Sequence, residues 1–210
     1  MATRLFPITT AASIASPIPQ MTALQLSLSQ GGSNTSRTAI TEASGAETFL
    51  RTGASSILPM QVWMTDYFAF PIQIAGTVSV DLCFSESAGT VNVLGKLHLY
   101  RWSYKSGLIT QLITLQTAAE VATSETHYPL SGTPTTLLFE RNDRLLAMVS
   151  FINTGTMGAG TASFGVNGSG PIGSGSGVSN IDLTENVTFT TTLVDIPMLQ
   201  SRRVRQRREF

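Results

Sequence analysis

The sequence predicts an all-β protein: a jelly-roll β-sandwich of about eight antiparallel strands, with an extended N-terminal arm and a basic C-terminal tail. Three observations predict this fold class. The 210 residues include 28 Thr and 23 Ser, whereas charged residues make up 12%, roughly half the usual share in a soluble domain. Apolar and polar residues alternate strictly from Val78 to Ser85. Strand patterns recur about every 8–15 residues between turns rich in Gly and Pro, and none has a helical period.

Residues 1–45 are predicted to form the arm. Three prolines before residue 20 are incompatible with a helix interior. Leu24, Leu26 and Leu28 alternate with polar residues and predict one strand with one buried face. Each ordered residue costs about 1–2 kcal/mol of backbone entropy, so we expect this arm to order only against neighbouring subunits.

Residues 46–197 contain the strands of the predicted sandwich. Besides the alternating run already described, strand patterns occur at 62–70, 91–100, 108–115, 145–151 and 187–196. The pattern at 145–151 is apolar on both faces, which predicts a strand that is covered on both sides. Gly95 lies inside a strand pattern and indicates a bulge or a close neighbour. The segments between 116 and 134 and between 155 and 177 are predicted to be loops, the second with an optional short strand at Thr161–Val166.

Residues 198–210 form a basic tail on an acidic body. The tail has five arginines and one glutamate, a net of +4, and residues 1–200 have 8 basic and 12 acidic residues, a net of −4. We expect the tail to dock on an acidic patch of a neighbouring subunit, because arginine pairs well with carboxylates. Packaged nucleic acid is the less favoured partner, and a disordered solubilising tail is the third alternative. The predicted partner-binding residues are Arg202, Arg203, Arg205, Arg207, Arg208 and Phe210.

The chain offers little material for catalysis, so we predict that it is not an enzyme. His98 and His127 are the two histidines, and no zinc, calcium, phosphate-loop or nucleophile-elbow pattern occurs. Cys83 is the single cysteine, which excludes an internal disulfide, and we expect it to be a packed thiol. No cofactor, metal or membrane contact is predicted. The N-terminal sequence lacks a secretory signal, which predicts folding in a reducing cytoplasm.

Three aromatic residues alternate on one predicted strand and its turn. Tyr100, Trp102 and Tyr104 can stack on sugar rings, but a second core face or a subunit interface is the favoured interpretation. Both interpretations are kept open here.

The stretch from Phe49 to Phe151 resembles the jelly-roll modules of tailed-bacteriophage virion proteins. The segments that show the resemblance are Phe49-Leu50-Arg51-Thr52, Ile74-Ala75-Gly76-Thr77-Val78, Glu86-Ser87, Asn92, Leu97-His98-Leu99-Tyr100-Arg101 and Arg141-Asn142-Asp143-Arg144-Leu145-Leu146. In the last segment Asn142 stands where the family usually has Gly, and Asn tolerates left-handed backbone geometry. Arg144 is expected to belong to a solvated charged turn, and the alternative is that it anchors a crossing loop by a charge-assisted hydrogen bond, with Glu86 as a candidate partner.

The resemblance implies a structural role in the virion, which is assembled in the host cytoplasm. We expect a capsid decoration (cement) protein that binds the major capsid protein or other virion subunits, and a homo-oligomer with a trimer as one option. The alternatives are a neck or tail-attached structural protein and a carbohydrate-binding jelly-roll module.

Overall fold

The structure is a computed structural model that describes residues 2–7, 22–28, 36–40, 47–50, 61–155, 160–165 and 179–193. These residues contain strands and no helix. The sixteen strands, in chain order, are β1 Thr3–Pro7, β2 Thr22–Ser27, β3 Ser36–Ile40, β4 Glu47–Phe49, β5 Gln61–Met64, β6 Tyr67–Phe68, β7 Ile72–Ile74, β8 Val78–Glu86, β9 Val93–Trp102, β10 Ile109–Gln116, β11 Thr126–Gly132, β12 Leu137–Phe139, β13 Arg144–Asn153, β14 Thr161–Gly165, β15 Asn180–Leu183 and β16 Phe189–Thr190.

Twelve of these strands form two layers that are joined through β1, whereas β7 pairs with β12 and β6 with β16 in two separate two-stranded sheets. In the first sheet the order is β10-β9-β13-β5-β2, and β4 pairs with β13 beside β5. In the second sheet β11 pairs with one edge of β8, while β15 and β14 share the other edge and continue into β1 and β3. Because β1 pairs with both β15 and β2, hydrogen-bonded strands run from the first sheet into the second, and the whole arrangement is nearly closed. Pairing among the described strands is antiparallel except between β2 and β5.

The main core lies between the two sheets and is built around Phe84. Its ring contacts Phe151 of the first sheet edge-on, with 5.3 Å between ring centroids. A Cβ at Gly95 would lie 2.6 Å from the Phe84 ring, so glycine lets β9 approach the second sheet. The sequence prediction of a close neighbour at Gly95 is therefore confirmed.

The described part of residues 1–45 lies in the sheets themselves. Leu5, Leu24 and Leu26 are buried in the main core, and the strand predicted around Leu24 and Leu26 is β2. Leu28 is exposed. β1 and β2 complete the connection between the two sheets. That the arm orders only in an assembly stays a prediction.

Two other predictions differ from the structure. The segment 116–134 was expected to be a loop, yet β11 pairs with β8 along its whole length despite Pro129. Within the described chain β11 is an edge strand, where a residue without an N–H is tolerated. Of the strand predicted at 187–196, the described residues form only the two-residue β16, and the sheet strand nearby is β15.

Candidate functional site

The outer face of the first sheet carries a row of rings along β9. His98, Tyr100 and Trp102 alternate along the strand, and Tyr104 follows in the turn after it. His98 and Tyr100 are stacked with 6.3 Å between ring centroids, and Trp102 meets Tyr104 edge-on at 6.1 Å. We call these four residues the aromatic row. The three predicted aromatic residues thus belong to one surface, and His98 extends it.

A second, smaller apolar cluster lies on the same face as the aromatic row. It consists of Ala23, Val62, Met64, Leu146 and Met148. Tyr100 and Trp102 pack against this cluster and are half-buried, whereas Tyr104 is 42% exposed. β13 is therefore buried on both faces, as its sequence predicted. Whether the row also binds a glycan or a subunit remains a prediction.

Next to the aromatic row, Glu47, His98 and Ser150 form a compact polar group. His98 Nε2 lies 2.8 Å from both Glu47 Oε1 and Ser150 Oγ, and Ser150 Oγ also donates to Glu47 Oε1. Thr114 Oγ1 lies 3.0 Å from the other ring nitrogen of His98. These residues come from β4, β9, β13 and β10, so the group ties four strands together.

The same group has the residue types of a hydrolase triad but not its arrangement. In a triad one ring nitrogen faces the serine and the other faces the acid. Here Ser150 and Glu47 share Nε2 of His98, and Nδ1 faces a threonine. Ser150 is fully buried, and no substrate can reach its hydroxyl without displacing neighbours. The arrangement therefore favours a structural polar network.

The protonation of this group follows its surroundings. Burial lowers the pKa of His98, and the nearby Glu47 opposes that effect. Burial alone would raise the pKa of Glu47, but the hydrogen bond from Ser150 and the charges of His98 and Lys96 hold it below its ordinary value. A neutral His98 beside a charged Glu47 is the favoured state near neutral pH.

A buried carboxylate fixes the end of the aromatic row. Asp143 accepts hydrogen bonds from Arg101 Nε at 2.7 Å, from the Tyr104 N–H at 3.0 Å and from the Glu140 N–H at 2.8 Å. Its neighbour Asn142 has φ 69°, the left-handed conformation that the sequence suggested for this position. Asp143 thereby holds the turn that carries Tyr104 against the entrance of β13.

Arg144 has a different role from the one expected. Its guanidinium lies 3.8 Å from the centroid of the Tyr67 ring, and Nη1 reaches Met64 Sδ at 3.5 Å. Burial lowers the pKa of Arg144, and Asp66 and Tyr67 partly offset that effect. The favoured alternative of a solvated turn is wrong, because Arg144 is buried. The candidate partner Glu86 is not among the contacts described for Arg144, and the ion pair of this turn joins its neighbour Asp143 to Arg101.

The β9–β10 hairpin ends in an exposed apolar tip. We define the hairpin tip as Tyr104, Leu108 and Ile109, which are 42%, 66% and 42% exposed. Ile109 is directly opposite Trp102 in the strand register, so the tip continues the face of the aromatic row. This surface was not singled out from the sequence, because burial at a strand end depends on which strands flank it.

The remaining sequence candidates are structural or lie outside the described residues. Cys83 is fully buried and its Sγ lies 3.2 Å from Glu125 Oε1. Burial and this carboxylate raise the thiol pKa, which makes a reactive thiolate unfavourable. The tail residues Arg202, Arg203, Arg205, Arg207, Arg208 and Phe210 lie outside the described part of the chain, and their role remains a prediction.

Neither a metal site nor a membrane helix occurs in the described ranges. No three His, Cys, Asp or Glu side chains among these residues are grouped as ion binding would require. Nor does any helix there have the length and apolar character needed to cross a bilayer.

Comparisons with known proteins yield structural likeness alone. No family model and no curated protein matches the sequence. Among solved structures, a CocE/NonD family hydrolase from Staphylococcus aureus is similar with a TM-score of 0.54 and 9% identity, over 89% of this chain and 36% of that chain. An α-amino acid ester hydrolase is similar with a TM-score of 0.53 and 10% identity, again over 89% and 36%.

These likenesses define a class of fold. This chain spans about a third of the length of those two proteins, and at such identity the likeness concerns the β-fold and not the chemistry. A structure of infectious bursal disease virus is similar with a TM-score of 0.30 and 12% identity, over 87% of this chain and 42% of that chain. A score of that size is not evidence of a shared fold. The fold and the site thus define an all-β sandwich with a ring-lined outer face.

Proposed function

We propose that this chain is a non-enzymatic structural protein of a phage virion, namely a jelly-roll capsid decoration (cement) protein. It would stabilise the shell through contacts with the major capsid protein and with copies of itself. The observation that carries the structural part is the exposed hairpin tip on a body with few charges. Large exposed apolar groups on such a body are typical of surfaces that meet other subunits.

The closed arrangement of Glu47, His98 and Ser150 also supports a role without catalysis. Both ring nitrogens of His98, the hydroxyl of Ser150 and Oε1 of Glu47 are directed at another member of the group or at Thr114. The virion part of the proposal depends on the resemblance of residues 49–151 to phage modules. The left-handed Asn142 is consistent with that resemblance, because it stands where the family usually has Gly.

Immunogold electron microscopy tests the proposal on particles of the phage that encodes the chain. Uniform labelling of the shell, together with peptides of this chain in purified particles, would support decoration. Labelling confined to the tail vertex would support the alternative of a neck or tail protein. Particles without label and without peptides would overturn the virion proposal.

A carbohydrate-binding module is the second candidate, because Tyr104 exposes its ring beside the half-buried Tyr100 and Trp102. Titration with a panel of oligosaccharides distinguishes this function. Saturable binding that Trp102→Ala abolishes, while Leu138→Ala leaves it intact, would favour the module. Leu138 is a suitable control since it is exposed on a different strand pair.

A further inference from the structure

We propose that two copies of this chain associate through the outer edge of β10, pairing antiparallel about Ile109. This proposal deepens the proposed function, since it assigns a surface to the expected homo-oligomer. It commits to a second copy of this chain as the partner. Four features of the edge support it: its position, its backbone directions, its charge and the side chains beside it.

β10 is at one end of the strand order, and its two halves differ. At the C-terminal half the Thr135 N–H donates to Leu112 O at 3.0 Å, and Gly132 lies so close that a Cβ there would be 2.9 Å from Leu115. The preceding residues 109–111 are exposed and have no such cover among the described residues. The edge is therefore protected in one half and open in the other.

The backbone groups at Ile109 point away from the sheet. The Ser103 N–H donates to Leu108 O at 2.9 Å, which directs the polar backbone of Leu108 towards β9. Backbone groups of successive residues in a strand point to opposite edges. The N–H and C=O of Ile109 consequently face outward, as the addition of another strand requires.

The open edge is compatible with its own copy. No charged residue occurs from Ser106 to Gln116, so two such edges meet without like-charge repulsion. Natural edge strands are commonly protected by lysine, proline or inward charges, and residues 108–111 contain none of these. When two copies pair about a two-fold axis normal to the sheet, one residue lies opposite the same residue of the other copy. In this pairing that residue is Ile109.

This pairing also buries the exposed apolar groups of the tip. Ile109 of one copy meets the same residue of the other on the face of Trp102, and Leu108 is brought opposite Thr110. The pairing turns two first sheets into one continuous sheet with both aromatic rows on one side. Such a small contact is weak in solution and becomes effective where a shell holds many copies together.

Sedimentation velocity of the full chain, from about 1 µM to about 1 mM, tests the association. We expect a reversible dimer, and we expect Ile109→Lys to weaken dimerisation at least about tenfold because it places two charges face to face. Leu138→Lys is the matched control, since it places the same charge at another exposed leucine. A monomer at all concentrations, or a dimer that responds to Leu138→Lys and not to Ile109→Lys, would overturn the proposal.

Cross-linking provides a readout that does not depend on a disruptive charge. Ile109→Cys should form an intermolecular disulfide under mild oxidation, because Cα atoms of a hydrogen-bonded antiparallel pair are about 5.5 Å apart. Leu138→Cys should form none, and the buried Cys83 does not compete. Absence of the Ile109→Cys cross-link at concentrations where the chain dimerises would contradict the pairing. Both measurements use the free protein, so their failure is distinguishable from absence of the chain in virions.

Discussion

Two long strands, β8 in the second sheet and β9 in the first, each turn one face towards the main core. They differ in the side chains that point away from it. On β8 the outward positions are Ser79, Asp81, Cys83 and Ser85, which are short or polar. On β9 they are mainly rings, which pack against a second apolar cluster. The outer face of β8 therefore has short side chains around the buried Cys83. The outer face of the first sheet has larger side chains, which form a second packed layer.

The largest expected effect concerns the main core, which lies between β8 and β9. Phe84→Ala removes the ring that fills the space above Gly95 and contacts Phe151. We expect the free energy of unfolding to fall by about 3–5 kcal/mol, which urea denaturation followed by circular dichroism would measure. A loss below about 1 kcal/mol would show that the two sheets do not pack through this ring.

The second effect compares two Arg–Asp pairs, a buried one between β9 and the turn before β13 and an exposed one between β1 and β15. Asp143→Asn breaks a pair whose carboxylate is 1% exposed, and we expect a loss of about 2–4 kcal/mol. Asp182→Asn breaks the Arg4 pair on the outer surface, where the side chains are 58% and 27% exposed, and should cost about 0–1 kcal/mol. Equal losses in urea denaturation would remove the distinction between a buried anchor and a surface pair.

The third effect tests the outer faces directly. Trp102→Ala removes a half-buried ring from the second cluster and should cost about 1–2 kcal/mol. Ser79→Ala on the outer face of β8 should change stability by less than about 0.5 kcal/mol. Thermal unfolding of the two variants measures both effects. A neutral Trp102→Ala would mean that the second cluster adds nothing to stability.

The smallest effect is a dependence on pH. His98 has a lowered pKa in the folded state, so the unfolded chain binds the proton more readily once the pH falls below about 6.5. Stability should therefore decrease on acidification from that pH, and the lowered pKa of Glu47 adds a loss in the same direction at lower pH. Urea midpoints between pH 8 and pH 5 should show a shallower decline for His98→Gln than for the parent chain. Identical slopes for the two proteins would contradict the role of His98.

Features that depend on local backbone geometry could be predicted from the sequence. Features that depend on which strands become neighbours could not. Gly95 was predicted correctly because its requirement is local, and the left-handed Asn142 agrees with the resemblance in which it stands where Gly is usual. The strand alternation at β8 was equally visible. In contrast, β11 was predicted to be a loop because it contains Pro129, and a single sequence does not distinguish an edge strand from a loop.

The candidate site could likewise be predicted only where its residues lie close together in the sequence. Tyr100, Trp102 and Tyr104 were found because they alternate within one strand and its turn. Glu47 and Ser150 escaped notice because they meet His98 from positions 51 and 52 residues away. The ion pair between Arg101 and Asp143 likewise depends on which strands become neighbours.

The pairing of β1 with β15 has a consequence for the order of events during synthesis. Arg4 meets Asp182 across 178 residues of chain, so β1 has no antiparallel partner in β15 until residues 180–183 have left the ribosome. Long-range pairing of this kind slows folding. The nascent protein would therefore close its sandwich late, and a translational pause before residue 180 would hold it open with Leu5 uncovered.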